Sequence, residues 1–141
     1  MIAAQTGRYL LDTNAASAIL RQREPVCARA ASVPLSALAI SSVTAGEMHY
    51  GLAKRPAATS LAKLVREFLR YADVLPWSDA IAPHYGTLRA ALEGSGGKGG
   101  VTIAPLDLMI AAHALALDAT LVSADRALSM IEILKIEDWS A

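Results

Sequence analysis

The sequence has one cysteine, no apolar run long enough to cross a membrane and no excess of charge of either sign. Cys27 alone cannot form a disulfide within the chain, and it provides no paired-cysteine spacing for a metal or redox site, so a reducing cytoplasm is the expected setting. The longest apolar run, residues 108–117, contains a histidine and is half as long as a membrane span. No secretion signal or membrane anchor is expected.

The charges balance, with 13 basic and 13 acidic residues and a formal net charge of zero. RNA or membrane binding would therefore need a local patch of charge. Five basic residues between positions 54 and 70 outnumber the single acid there; they are Lys54, Arg55, Lys63, Arg66 and Arg70. The last three share one face of a predicted helix, which is compatible both with phosphate binding and with an ordinary solvated face.

The apolar content of 54% in 141 residues is enough for one sizeable core and predicts a single domain over residues 1–141. Five short segments rich in Leu, Ile and Val predict strands at 9–11, 38–41, 74–75, 120–123 and 133–136. Helical periods lie between them, most clearly in residues 61–72. This alternation predicts a three-layer α/β/α sandwich with a mainly parallel central sheet.

The glycine-rich stretch at 93–100 is predicted to be a surface loop. It is not a phosphate-binding loop, because Lys98 is followed by glycine and Leu92 occupies the position where that motif needs a glycine.

Four acids lie at the ends of predicted elements in apolar surroundings, and they are Asp12, Glu47, Asp107 and Asp125. Each has a structural explanation of its own. Asp12 and Asp125 could cap helices, and Asp107 could favour the positive end of its helix. Glu47 could complete a capping box with Thr44. In a parallel sheet, however, strand ends and helix starts meet at one edge, so all four can converge in one cleft.

Clustered carboxylates repel one another and need cations to offset their charge. Mg²⁺ or Mn²⁺ suits such oxygen ligands and usually shares them with a substrate phosphate, which points to hydrolysis of a phosphodiester by water. The three histidines, His49, His84 and His113, lack the spacing of metal ligands and are interpreted as packing or surface residues.

The segments "LLDTN", "ISSVTAGEMHYG", "APLDLMIAAHALAL", "ATLVSAD" and "LKIEDW" together resemble PIN-domain ribonucleases of the VapC toxin family. The resemblance implies a Mg²⁺- or Mn²⁺-dependent endoribonuclease, the toxin of a type II toxin–antitoxin pair. It also implies a homodimer and a VapB-like antitoxin whose tail covers the active site.

The site residues follow from the same motifs. Asp12 and Asp107 match the principal metal-binding aspartates of the family, and Glu47 and Asp125 match the acids that complete the pocket. Thr13, Asn14 and Ser123 match the small polar residues that support this pocket in the family. Two departures from the family pattern are Leu128, where an aromatic residue is common, and the longer glycine-rich loop.

Two other functions remain open at this point. An aspartyl-phosphate phosphatase also places an aspartate after its first strand, but it expects a second acid two residues on, where this chain has Asn14. The other is a non-catalytic RNA- or protein-binding module on a degenerate PIN fold.

If Asp12 binds metal, Thr13 or Asn14 is expected to cap the first helix. Ile19 and Leu20 are candidates for an antitoxin groove or a dimer surface.

Overall fold

A parallel β-sheet of five strands forms the centre of the molecule in the computed structural model, which describes residues 7–96 and 103–141 and not the side chains of 94–96. The strands are β1 (Tyr9–Leu11), β2 (Leu38–Ser41), β3 (Val74–Leu75), β4 (Thr120–Val122) and β5 (Ile136–Glu137). Their order across the sheet is β3-β2-β1-β4-β5, and every neighbouring pair is parallel.

Both faces of the sheet are buried, and its central strands carry apolar side chains towards each of them. Leu10 of β1 lies in one hydrophobic core and the next residue, Leu11, lies in the other. Leu121 and Val122 of β4 divide between the two cores in the same way. Successive side chains of a strand point to opposite faces, so this pattern requires helices on both sides of the sheet.

Seven helices cover those faces in the described part of the chain. They are α1 (Thr13–Leu20), α2 (Val26–Ala31), α3 (Ser42–Lys54), α4 (Thr59–Tyr71), α5 (Ala82–Gly96), α6 (Pro105–Leu117) and α7 (Arg126–Ser129). Helices α5 and α6 supply apolar residues to one core, and α1, α2 and α4 supply them to the other. The predicted α/β/α sandwich is thereby confirmed.

Most predicted element positions agree with the structure, and the differences are local. β5 begins at Ile136 because residues 132–134 form turns. In α4, Val65 is buried as the apolar stripe predicts, whereas Leu64 at the edge of the stripe is 47% exposed. The prediction that residues 93–100 form a loop is wrong for residues 93–96, which are the last turn of α5, and the rest of that predicted loop, residues 97–100, lies outside the described residues. None of the described helices is both long and apolar enough to cross a membrane.

Candidate active site

Asp12 lies directly after β1 and is held at both its backbone and its side chain. Its backbone N–H donates to the Val122 carbonyl at 3.1 Å, and its Oδ1 accepts from the Ala15 N–H at 2.7 Å, so Asp12 itself caps α1. The expectation that Thr13 or Asn14 would cap this helix is wrong, because both are already within α1 and a cap needs extended backbone. The Asp12 side chain is buried at the end of the sheet.

Ser123 connects Asp12 with the end of the neighbouring strand. It is the residue after β4, and its hydroxyl hydrogen-bonds to the Asp12 carboxylate. The same Oγ accepts from the Asp125 N–H at 3.1 Å, and Asp125 in turn caps α7 by accepting from the Ala127 N–H at 2.8 Å. A buried serine thus ties together the positions of two of the candidate site acids.

Glu47 lies in the second turn of α3 and contacts the residue that follows Asp12. The Thr13 hydroxyl donates to Glu47 Oε1 at 2.5 Å. A capping box between Thr44 and Glu47 does not form, because α3 begins at Ser42 and Thr44 is buried inside it. The cap is Ser41, which accepts from the Val43 N–H at 3.1 Å. A serine at the end of a predicted strand is the sequence signal that identifies this cap.

Asp107 lies in the first turn of α6, which begins with Pro105 as predicted. Partial burial raises the pKa of the Asp107 carboxyl, and the charges of Glu47, Asp125 and Asp12 raise it further. These contributions mean that Glu47, Asp125 and Asp12 all lie within electrostatic reach of Asp107. The structure therefore brings the four predicted acids to one edge of the sheet.

The pKa of the Asp12 carboxyl is also raised, chiefly because the side chain is buried. Hydrogen bonds from the Ala15 N–H and from Ser123 lower that pKa, while the charges of Asp125 and Glu47 raise it again. The net direction means that the ionised form of Asp12 costs free energy in this surrounding.

No basic side chain among the described residues forms an ion pair with these acids. The four ion pairs found there join other residues: Arg8 with Asp73, Arg29 with Glu137, Arg89 with Glu93, and Lys135 with Asp118. Nor do three or more acid, histidine or cysteine side chains within 7–96 and 103–141 form a ready-made metal group. An open set of carboxylate oxygens fits Mg²⁺ or Mn²⁺, which keeps several waters and needs one or two direct carboxylates.

Asn14 is exposed and lines a small cavity of about 70 Å³ together with Asp12 and Ser123. An aspartyl-phosphate phosphatase needs a second carboxylate at this position, so the exposed amide of Asn14 gives no support to that function. A second cavity of about 280 Å³ adjoins Asp125, while a groove of about 540 Å³ is lined by none of the four acids. Asp12 is buried at this edge of the sheet, whereas Glu47, Asp107 and Asp125 are each partly exposed.

A parallel sheet of this order, with acids collected at its carboxyl edge, is the arrangement of a PIN domain, and the PIN domain family model matches residues 9–134. Ribonuclease VapC2 of Haemophilus influenzae is 28% identical over 133 residues, which cover 94% of this chain and 98% of that protein. The tRNA(fMet)-specific endonuclease VapC of Shigella flexneri is 29% identical over 134 residues, with the same coverage of each chain.

Among solved structures, DNA-bound VapBC from Salmonella typhimurium superposes with a TM-score of 0.83 at 30% identity, and the match covers 95% of this chain and 99% of the other. The chain belongs to the PIN-domain family, and within it to the toxin endoribonucleases of the VapC type.

Proposed function

We propose that Asp12 and Asp107 hold a divalent cation for RNA hydrolysis and that Glu47 and Asp125 complete the pocket. The observation that carries the proposal is the way these acids are joined at one edge of the sheet. Ser123 hydrogen-bonds to both Asp12 and Asp125, and Thr13, the residue after Asp12, donates to Glu47. The charges of the other three acids also raise the pKa of Asp107. The four acids form no ion pair with a basic side chain among the described residues, so a bound cation would offset their charge.

Mg²⁺ or Mn²⁺ is the cofactor that this donor set favours, since all four side chains offer only carboxylate oxygens. Such an ion, when bound, lowers the pKa of a water molecule and offsets the charge that develops on phosphate oxygens.

The side chains around the cation have separate tasks in the proposed reaction. Glu47, oriented by the Thr13 hydroxyl, takes a proton from the attacking water. The water oxygen bonds to phosphorus as the bond to the 3′ oxygen breaks, and that oxygen gains a proton from solvent. The products are a 5′-phosphate and a 3′-hydroxyl. Asp12 is kept in place by the Ala15 N–H and by Ser123, so it needs little rearrangement when the cation binds.

The proposed substrate is cytoplasmic RNA, held by the basic face of α4. Lys63, Arg66 and Arg70 are exposed on that helix, whereas Val65 on the opposite side is buried. Phosphate contacts of this kind bind RNA without regard to sequence, so they fix orientation and leave base recognition to other residues.

The proposed partner is a VapB-like antitoxin whose apolar segment occupies the groove of about 540 Å³ between α1, β2 and α4. Ile19 and Phe68 line this groove, and the exposed Leu35 and Tyr71 extend its apolar surface outward. The tail beyond that segment would reach the acids, where Arg or Lys can pair with carboxylates in place of metal. We further propose that the chain, one PIN domain over residues 1–141, forms a homodimer, which light scattering of the purified protein tests.

Cleavage assays with matched variants test the catalytic proposal. Purified chain is incubated with structured RNAs in Mg²⁺ or Mn²⁺ and in EDTA, beside Asp12→Asn, Asp107→Asn and the control Asp79→Asn, an exposed acid in the turn before α5. We expect cleavage that EDTA abolishes, that both site variants lose by at least about a hundredfold and that the control retains.

Equal cleavage by wild type and Asp12→Asn would identify a contaminating nuclease and contradict the proposal. If the wild-type chain binds RNA or antitoxin but never cleaves, the chain is instead a binding module on a degenerate PIN fold.

A further inference from the structure

We propose that Ser41 and His113 form a clamp that positions Glu47 relative to Asp107, an inference that rests on the proposed function. His113 is 1% exposed on α6, the helix that carries Asp107. Ser41 is fully buried directly before α3, the helix that carries Glu47. The His113 Nδ1 and Ser41 Oγ atoms lie 2.9 Å apart, so one hydrogen bond joins the two helices that carry these acids.

The Ser41 oxygen has a second partner, which connects the bond with His113 to the first turn of α3. Oγ also accepts from the Val43 N–H at 3.1 Å and thereby caps α3. The hydroxyl can still give its proton to His113 Nδ1 or accept one from it, depending on the tautomer of the ring. Because an α-helix is stiff over two turns, fixing its first turn to α6 also fixes where Glu47 lies.

A second connection joins the same two helices. Trp77, in the segment between β3 and α5, donates its backbone N–H to Ser42 Oγ at 2.9 Å. Its indole N–H donates to the Met109 carbonyl of α6, also at 2.9 Å. Met109 is two residues after Asp107, so this link and the Ser41–His113 bond hold the start of α3 against the same stretch of α6.

A purely structural role for His113 is the competing explanation. Burial lowers the pKa of the His113 ring, so the neutral form is favoured. Burying the polar imidazole still costs more free energy than burying an aliphatic side chain, so filling space alone does not explain a histidine here. Its polar atom is used on Ser41 and on no catalytic acid. A positioning role predicts that losing the bond alters cation binding and turnover beyond any loss of stability.

Four variants separate the two explanations. His113→Phe keeps a ring but removes the bond, Ser41→Ala removes it from the other side, and His113→Asn keeps a polar atom near the position of Nδ1. Leu88→Ala is the control, since Leu88 is 2% exposed in a hydrophobic core beside α6 and takes no part in the clamp's hydrogen bonds, so its truncation should lower stability alone. The measurements are thermal unfolding, Mn²⁺ affinity without RNA from the EPR signal of free Mn²⁺, and kcat and KM for RNA cleavage.

We expect His113→Phe and Ser41→Ala to weaken Mn²⁺ binding and to lower kcat by about tenfold or more, as loss of residues that orient metal ligands typically does. KM for RNA should stay within about twofold, because the RNA surface on α4 is untouched. His113→Asn should recover most of the Mn²⁺ affinity despite its lower stability, and Leu88→Ala should bind Mn²⁺ like the wild type.

The inference is overturned if folded His113→Phe binds Mn²⁺ and cleaves RNA like the wild type, or if Leu88→Ala loses as much affinity. Should His113→Phe fail to fold, Ser41→Ala and Trp77→Phe decide by the same criteria; Trp77→Phe keeps an aromatic ring but removes the indole N–H that donates to Met109. A wild-type chain that neither binds Mn²⁺ nor cleaves RNA refutes the proposed function instead, and the role of the clamp with it.

Discussion

Asp12 shows how one side chain can serve both the fold and the site. Its position in the sequence is equally compatible with a helix cap and with a metal ligand. The two roles exclude each other only if Asp12 can serve one of them and a neighbouring residue must take the other. The structure has Asp12 capping α1 through Oδ1 while it lies near Asp125 and Glu47. A carboxylate has two oxygens and about four lone-pair positions, so capping leaves capacity for a cation.

Asp12→Asn is expected to stabilise the metal-free protein at neutral pH. The folded pKa of Asp12 is raised above its ordinary value of 3.8, so its ionised form loses stability as pH rises. Asparagine removes the charge and can still cap α1. In EDTA at pH 7 its melting temperature should exceed that of the wild type by roughly a few degrees, and the gap should close as the pH falls towards 4. An equal or lower melting temperature at pH 7 would contradict this.

Thr13→Val is expected to lower turnover while leaving RNA affinity nearly unchanged. Valine keeps the shape of threonine but removes the hydroxyl that donates to Glu47 Oε1. Residues that orient site carboxylates typically contribute about 10- to 100-fold to activity, so kcat should fall within that range. Thr13→Ser, which keeps the hydroxyl, is the control in the same steady-state assay. Loss of activity in both variants would show that packing of the methyl group matters instead.

At the scale of elements, the sequence predicts what depends on local pattern and misses what depends on distant contacts. The apolar stripe of α4 and Pro105 at the start of α6 are local signals, and both elements form where predicted. The start of α3 is different, because Ser41, Ser42 and Thr44 are all residue types that can cap a helix, so the sequence offers more than one start. In the structure the helix begins at Ser42. Ser41 hydrogen-bonds to His113 and Ser42 to Trp77, and both partners are far away in the sequence.

The basic face of α4 is expected to contribute charge and not sequence recognition. Replacing Lys63 and Arg70 with glutamine should weaken RNA binding similarly for unrelated RNAs. For two lost contacts to single-stranded RNA, the slope of log K against log salt should flatten by roughly 1.4. Lys135→Gln combined with Arg23→Gln, exposed residues of equal charge outside α4, is the matched control in filter binding. Unchanged affinity of the α4 variant would exclude this face from the RNA site.

At the scale of the whole molecule, the parallel sheet is what turns four separate acids into one site. Because β1, β2 and β4 run in the same direction, Asp12, Glu47 and Asp125 come to one edge, and α6 brings Asp107 there. Strand direction follows from the alternation of strands and helices, so this convergence could be inferred from sequence. The groove beside Ile19 could not, since its shape depends on how α1 and α4 pack across β2.

A charge placed in that groove is expected to separate antitoxin binding from catalysis. Ile19→Glu puts a carboxylate among the apolar lining residues, which an apolar antitoxin segment could cover only at the cost of desolvating it. With the antitoxin encoded beside this chain, affinity by calorimetry should fall at least about a hundredfold, while RNA cleavage by the free toxin stays unchanged. Leu117→Glu, an exposed apolar residue on α6, is the control. Equal loss of affinity in both would place the antitoxin elsewhere.

Acidification is expected to destabilise the fold through His113, against the opposite trend of the site acids. Burial holds the folded pKa of His113 below its ordinary value of 6.5, so its contribution is complete above that pH and is lost as the pH falls below it. Asp12 and Asp107, whose pKa values are raised, have the opposite effect, because the protein gains stability as these acids become protonated.

Urea unfolding of wild type and His113→Phe at pH 7.5 and 5.5 isolates the contribution of the histidine, because both proteins contain the same acids. Between these pH values the stability of the wild type relative to His113→Phe should fall by no more than about 1.4 kcal/mol per pH unit, the limit for one proton. A difference that stays constant would mean that His113 is not held neutral by burial.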